Sequence, residues 1–174
     1  KLIDKSNWTK AIAVYPRTEL LKDQFMEAYR LSRKLDGMLR KNGRRKLRLG
    51  TYFGDTPFDA RRVRDNWAKF GDGYVCPWFS CPTCGEKVIW KIANQNKGVE
   101  KLSCTSDECS FETDDDEIVI TRTSMQDKNN NKPDILFLTT ETLNKRLGDL
   151  WTRKLLGVGQ PKAMKPRYLL LDEV

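Results

Sequence analysis

The residues best placed to do chemistry are five cysteines, all between positions 76 and 109. Cys81-Pro-Thr-Cys84-Gly85 sets two thiols two residues apart, with glycine after the second. Such a pair forms a knuckle in which two thiolates reach one metal while backbone N–H groups support the sulfurs. The glycine permits the close turn. Cys104-Thr-Ser-Asp-Glu-Cys109 is a second, wider pair, and 19 residues separate Cys84 from Cys104. That is enough chain for a hairpin through Val88-Ile89-Trp90 and back. Four thiolates in a tetrahedron suit Zn²⁺. A site closed by Cys81, Cys84, Cys104 and Cys109 has no open position to activate water, so its zinc would be structural. The other readings are two disulfides or unrelated buried thiols. Disulfides fit poorly in a chain whose first ten residues, KLIDKSNWTK, lack a signal-peptide pattern. Cys76 is left over and reads as a buried or spare thiol, not a ligand.

A second chemistry stands at Tyr168-Leu169-Leu170-Leu171-Asp172-Glu173. Here a buried apolar strand delivers adjacent carboxylates at its C-terminal end, where open α/β sheets bind ligands. An aspartate so placed can hold Mg²⁺ through water, and the next glutamate can orient a water attacking a nucleotide phosphate. A strand that simply ends in polar residues would look the same. Other strand ends are similar. AIAVYPRTEL (11–20) puts Thr18 at the opening of a helix, whose free N–H groups can bind phosphate. Gly54-Asp55-Thr56-Pro57 follows a second strand, with Arg61, Arg62 and Arg64 close behind, and Thr139-Thr140 close a third.

Four apolar strands carry these residues: 11–15, 47–53, 135–139 and 168–171. Between them, Leu20, Leu21, Phe25, Ala28, Tyr29, Leu31 and Leu35 recur at helical spacing, with Thr18 as the expected cap. A further helix is expected over 58–70, with Val63, Trp67 and Phe70 on one side, and a short one from Glu141 to Leu147. Apolar strands alternating with helices make an α/β layer with a mainly parallel sheet. Residues 157–166 read as loop.

Charge divides the chain in three. Residues 1–70 hold 18 basic and 8 acidic side chains, residues 71–125 hold 5 and 10, and residues 126–174 hold 9 and 6. A net +8 therefore combines basic flanks with an acidic middle that contains every cysteine. The flanks can attract a phosphate backbone, or simply be a solvated face. Trp78, Phe79 and Trp90 beside the knuckle are expected to pack there; the alternative is stacking on bases. The absence of histidine excludes Ser-His, Cys-His and His-metal chemistry within these residues. No apolar run approaches the ~20 residues of a membrane span, so the expectation is a cytoplasmic protein without membrane contact.

The cysteine spacing resembles a zinc ribbon. The order of the other motifs resembles the first RecA-like domain of superfamily-2 helicases. Pro16-Arg17-Thr18-Glu19-Leu20 looks like motif Ia, although the commoner order is Pro-Thr-Arg-Glu-Leu. Gly54–Pro57 falls where a glycine-bearing loop touches the strand, Asp134–Thr140 looks like motif Ib, and Asp172-Glu173-Val174 looks like the start of a DEVH-type motif II. The glycine loop and its arginines look most like the Hrq and Mrf repair helicases. A zinc-ribbon insert at this point resembles the large helicases of anti-phage systems such as Druantia and DISARM.

The resemblance implies a RecA-like lobe over 1–70 and 126–174, interrupted by a ribbon over 71–125. It implies an ATP-dependent helicase or translocase acting on nucleic acid, with DNA the favoured substrate and defence-system subunits as further partners. Arg17, Thr18, Gly54, Thr139 and Thr140 would contact the strand. Asp172 would hold the Mg²⁺ of ATP and Glu173 would position water. The Gly-Lys-Thr phosphate loop of the family is not among these residues, so the chain is expected to be a piece of a larger motor that does not hydrolyse ATP alone. Two other readings are a non-enzymatic zinc-ribbon nucleic-acid-binding module and a metal-dependent nuclease built on Asp172 and Glu173, for which Asp55 is the one ready extra carboxylate.

Overall fold

A computed structural model describes residues 7–126, 132–150 and 152–172. Its strands form two sheets. The first is built from β1 (Ala11–Tyr15), β2 (Leu49–Tyr52), β7 (Ile118–Val119), β8 (Ile135–Thr139) and β9 (Tyr168–Leu171), in the order β7-β2-β8-β1-β9. All four pairings are parallel. The second is antiparallel, in the order β3 (Lys69–Phe70), β4 (Gly73–Ser80), β5 (Lys87–Lys91), β6 (Leu102–Cys104). The expected α/β class with a parallel sheet is present. Ile118–Val119, read from sequence as part of the cysteine-bearing segment, pairs with β2 in the parallel sheet.

The long helix α1 (Thr18–Lys41) lies between the sheets. Leu21, Phe25 and Tyr29 are buried on it at four-residue spacing. Phe25 meets Phe137 of the parallel sheet and Trp78 of the antiparallel one, both at 5.2 Å between ring centres. Tyr29 meets Phe79 edge-on at 4.8 Å. Both sheets therefore share one core through α1. Trp78 and Phe79 pack here, with Trp67 and Trp90 beside them.

Several local expectations change. Leu31 and Leu35 are exposed at 49% and 39%, not buried. At 3.6 residues per turn, Leu31 lies about 200° around the helix from Tyr29. Ser32 and Leu39 continue the buried stripe instead. Arg17 occupies the cap position of α1 without a side-chain bond, and Thr18 is the first helical residue. The helix expected over 58–70 is only a 3-10 turn (Ala60–Arg62) and α2 (Val63–Asn66), because Trp67 turns extended and Lys69 begins β3. Val63 and Trp67 are buried as expected, but Phe70 is exposed. The short helix α5 spans Thr140–Arg146. β9 pairs with β1 on one side, yet Tyr168, Leu169, Leu170 and Leu171 are all 50–59% exposed. It is the sheet's edge strand, not a buried one.

Two ionic clusters tie the layers together. At the N-terminal edge of the parallel sheet, Asp134 accepts from Lys10 Nζ at 2.8 Å and from both Arg45 Nη atoms at 2.6 and 2.7 Å. On the α1 side, Glu117 accepts from the Tyr29 hydroxyl and from Lys46, each at 2.7 Å, and pairs with Arg33 at 2.7 Å. Burial acts to raise the Glu117 carboxyl. The Lys46, Tyr29 and Arg33 groups outweigh it and hold the carboxyl below its ordinary value. The resulting stability is present above the ordinary carboxylate value and is lost as pH falls through the lower folded one. Glu117→Gln is expected to cost about 2 kcal/mol at neutral pH and to flatten the acid limb of stability against pH. Urea titrations at several pH values measure both, and an unchanged acid limb would count against this role.

Candidate metal centre and strand-end edge

The four expected cysteines converge. Cys81 follows β4 directly, and Cys84 lies on the turn to β5. Cys104 is the last residue of β6, and Cys109 is in the loop after it. The four sulfurs all lie within 4.8 Å of one another. Cys81 and Cys109 are 3.6 Å apart, and Cys84 and Cys104 are 3.4 Å apart. Bonds of 2.3 Å to one tetrahedral zinc give sulfur–sulfur edges of about 3.8 Å. All five cysteines are free thiols.

The backbone builds this geometry. Gly85 N–H donates to the Cys81 carbonyl at 2.9 Å, closing the knuckle, and Gly85 adopts φ +82°. That left-handed turn is where glycine costs least. Ser106 N–H supports the Cys104 sulfur at 3.4 Å. Burial acts to raise the Cys81 thiol, but the N–H groups of Cys84 and Thr83 and the adjacent thiols outweigh it and bring it down to about 7. Cys104 is pushed up to about 12 by burial and by the neighbouring thiols, against the N–H of Ser106. One sulfur thus ionises readily while the Cys104 thiol resists joining it. The cluster can hold a metal ion such as Zn²⁺. Cys76 is buried within β4, and burial pushes its thiol well up, so it stays protonated.

The other candidates share the C-terminal edge of the parallel sheet. Because every pairing is parallel, all five strands end on that side. Across the sheet the residues that follow them run from Ile120 and Thr121 after β7, through Phe53 and Gly54 after β2, to Thr139 and Thr140 at the end of β8. Pro16, Arg17 and Thr18 then follow β1, and Asp172 follows β9. Four inter-strand steps span about 19 Å.

Individual groups differ in availability. Arg17 and Gly54 are exposed and Thr18 is half-buried. The Thr139 hydroxyl caps α5, accepting from Thr142 N–H at 3.2 Å. Thr140 Oγ1 donates to the Tyr15 carbonyl at 3.4 Å. The Asp172 backbone N–H donates to the Val14 carbonyl at 3.3 Å, and its side chain is exposed. Its charge raises the Tyr15 phenol, after burial, so the two lie close. Glu173 and Val174 lie outside the described residues.

Sequence reasoning missed the Asp134 and Glu117 clusters. The nearest signal was a charge just before an apolar strand in each case, and neither partner is close in sequence. No helix among the described residues is long and apolar enough to cross a membrane. No protein family, curated protein or solved structure matches the chain.

Proposed function

We propose that this chain is part of an ATP-dependent nucleic-acid helicase or translocase acting on DNA. One observation carries the reading. Arg17 and Thr18, Gly54, Thr139 and Thr140, and Asp172 fall in one row on the C-terminal edge of a five-stranded parallel sheet. That is where open α/β sheets bind nucleotides and phosphates. The sheet then serves as a RecA-like lobe. Backbone contacts along its edge are independent of sequence and sensitive to salt.

Asp172 is the described carboxylate that would hold Mg²⁺. It is exposed, and among the described residues no side-chain hydrogen bond or ion pair occupies it. Glu173 would place the attacking water. When bound, Mg²⁺ with ATP supplies charge neutralisation at the transferred phosphate. Arg17 is exposed and, among the described residues, has no ion-pair partner, which leaves its guanidinium available to a phosphate. The exposed apolar faces of β9 suit a strand that further protein covers, as in a larger sheet. The ribbon, held by structural zinc, would be an accessory element touching DNA, a partner subunit or the rest of the motor. Membership of an anti-phage system rests on the resemblance to Druantia- and DISARM-type helicases alone.

A second reading, a zinc-ribbon nucleic-acid-binding module without ATPase activity, is favoured by the well-formed cysteine cluster. DNA-stimulated ATP hydrolysis by the protein carrying a phosphate loop and a second lobe separates the two. Asp172→Asn is expected to lower that activity by about 10²-fold or more.

A further inference from the structure

A cavity of about 720 Å³ opens where the antiparallel sheet meets the C-terminal edge of the parallel one. Four short helical elements line it: the 3-10 turn and α2 that follow β2, the helix α3 (Ile92–Asn96) that follows β5, and the helix α4 (Arg122–Gln126) that follows β7. It therefore continues the row of strand ends past Gly54, at the end of the sheet opposite Asp172.

Its chemistry is mixed in a specific way. Two lining acids are already committed. Asp59 accepts the backbone N–H groups of Arg61 and Arg62 at 2.8 and 3.1 Å. Glu100 accepts from Ile120 N–H at 2.7 Å and from Thr121 N–H and Oγ1 at 3.0 and 2.7 Å. The lining arginines are not committed. Arg61 is exposed and has no ion pair among the described residues, and Arg64 only approaches its neighbour Asp65 at 3.9 Å. Net positive charge is thus available at the mouth. Deeper in, Tyr74 lies directly opposite Trp90 across the β4–β5 pair. Tyr74 is half-buried, so part of its ring faces the space, whereas Trp90 is fully buried and forms the floor. Asn96 is exposed on the wall and offers both a donor and an acceptor.

Exposed guanidinium groups at the rim, an aromatic ring within and an amide on the wall match a phosphate, a base face and a base edge. The volume falls in the range of small-ligand sites and is too confined for a duplex. Building on the strand-binding reading above, we propose that this cavity receives one unpaired nucleotide of a single DNA strand running along the sheet edge. Its phosphate sits on Arg61 and Arg64 and its base lies against Tyr74. The cysteine-bearing sheet thereby forms one wall of the DNA path.

The test is binding of the whole chain to a fluorescent thymidine oligonucleotide over a range of salt. Loss of two phosphate contacts in Arg61→Ala/Arg64→Ala should lower the slope of log K against log salt by about 1.4, and affinity by about 25-fold at 0.1 M salt. Tyr74→Leu should weaken binding by about tenfold with the slope unchanged. An oligonucleotide carrying 4-thiothymidine should crosslink to the peptides holding Tyr74 or Asn96. Arg17→Ala, at the other part of the edge, is the reference. If it lowers the slope while the double variant does not, the cavity proposal fails and the edge reading stands. A lowered slope in the double variant without crosslinks or a Tyr74 effect also overturns it, because phosphates then pass the rim without a base entering. If no variant changes binding, or the chain does not bind, both readings fail.

Discussion

Removing the metal from the four-cysteine cluster is expected to unfold the antiparallel sheet and to loosen α1. The chain as purified should hold one zinc. Structural zinc contributes about 10 kcal/mol or more in small zinc-bound folds at neutral pH. A whole ordinary domain is stable by only about 5–15 kcal/mol. Two of the ligands sit on loops that few apolar contacts hold: Cys84 is exposed and Cys109 only half-buried. Without the metal, the partly ionised sulfurs repel and the turns around them lose their anchor. The damage should spread, because Trp78 and Phe79 of β4 pack on Phe25 and Tyr29. Near-ultraviolet circular dichroism of the buried tryptophans reports this directly. Chelation, or Cys84→Ser, should abolish most of that signal while leaving part of the far-ultraviolet helix signal. Cys76→Ser, which alters a buried thiol outside the cluster, should keep one zinc per chain. A chain that carries no zinc, or that keeps its tryptophan signal through chelation, would contradict the site.

Asp134→Asn is expected to cost about 3–5 kcal/mol, the usual consequence of removing one partner from a buried ion pair. Asp134 is fully buried, and Lys10 is 1% exposed. Lys10 Nζ also donates to the Trp8 carbonyl at 2.9 Å, but its charge is balanced by Asp134 at 2.8 Å. The same carboxylate takes both Arg45 Nη atoms and Arg48 N–H, the last at 2.9 Å. An amide in its place keeps the shape but removes the buried negative charge that Lys10 and Arg45 share. Urea unfolding should show a lower midpoint with the slope preserved. Adding Lys10→Met to Asp134→Asn should recover part of the loss, since a buried ammonium that has lost this carboxylate is gone. A cost below about 1 kcal/mol for the single change would mean that the cluster is bystander chemistry.

The parts of the fold that were legible were those written locally. AIAVY and ILFLT are short apolar runs, and both are interior strands of the parallel sheet. The cysteine pairs were legible because ligand spacing is itself a local geometry. YLLL reads the same as AIAVY, yet β9 lies at the sheet edge with its side chains half exposed. Hydrophobic content reports what a strand is suited to contact, not what contacts it. On α1, Leu31 and Leu35 have apolar side chains at near-helical spacing but lie off Tyr29's buried face. Ser32, a small polar residue, fills the true position and bonds to the Tyr29 carbonyl at 2.8 Å. The roles of Asp134 and Glu117 depend on partners as far as 124 and 88 residues away, which no local pattern carries. The motifs Pro16–Leu20, Gly54–Pro57 and Thr139–Thr140 were legible as strand ends. Their alignment on one edge follows only from the strand order.

DNA-stimulated ATP hydrolysis tests the motor reading most directly. It is measured on the protein that includes a phosphate loop and a second lobe, with Glu173→Gln and Asp172→Asn beside the parent. The expected result is hydrolysis raised by single-stranded DNA and lowered by about 10²-fold or more in each variant, with DNA binding retained. Hydrolysis that is absent from the parent, or unchanged in both variants, would contradict it.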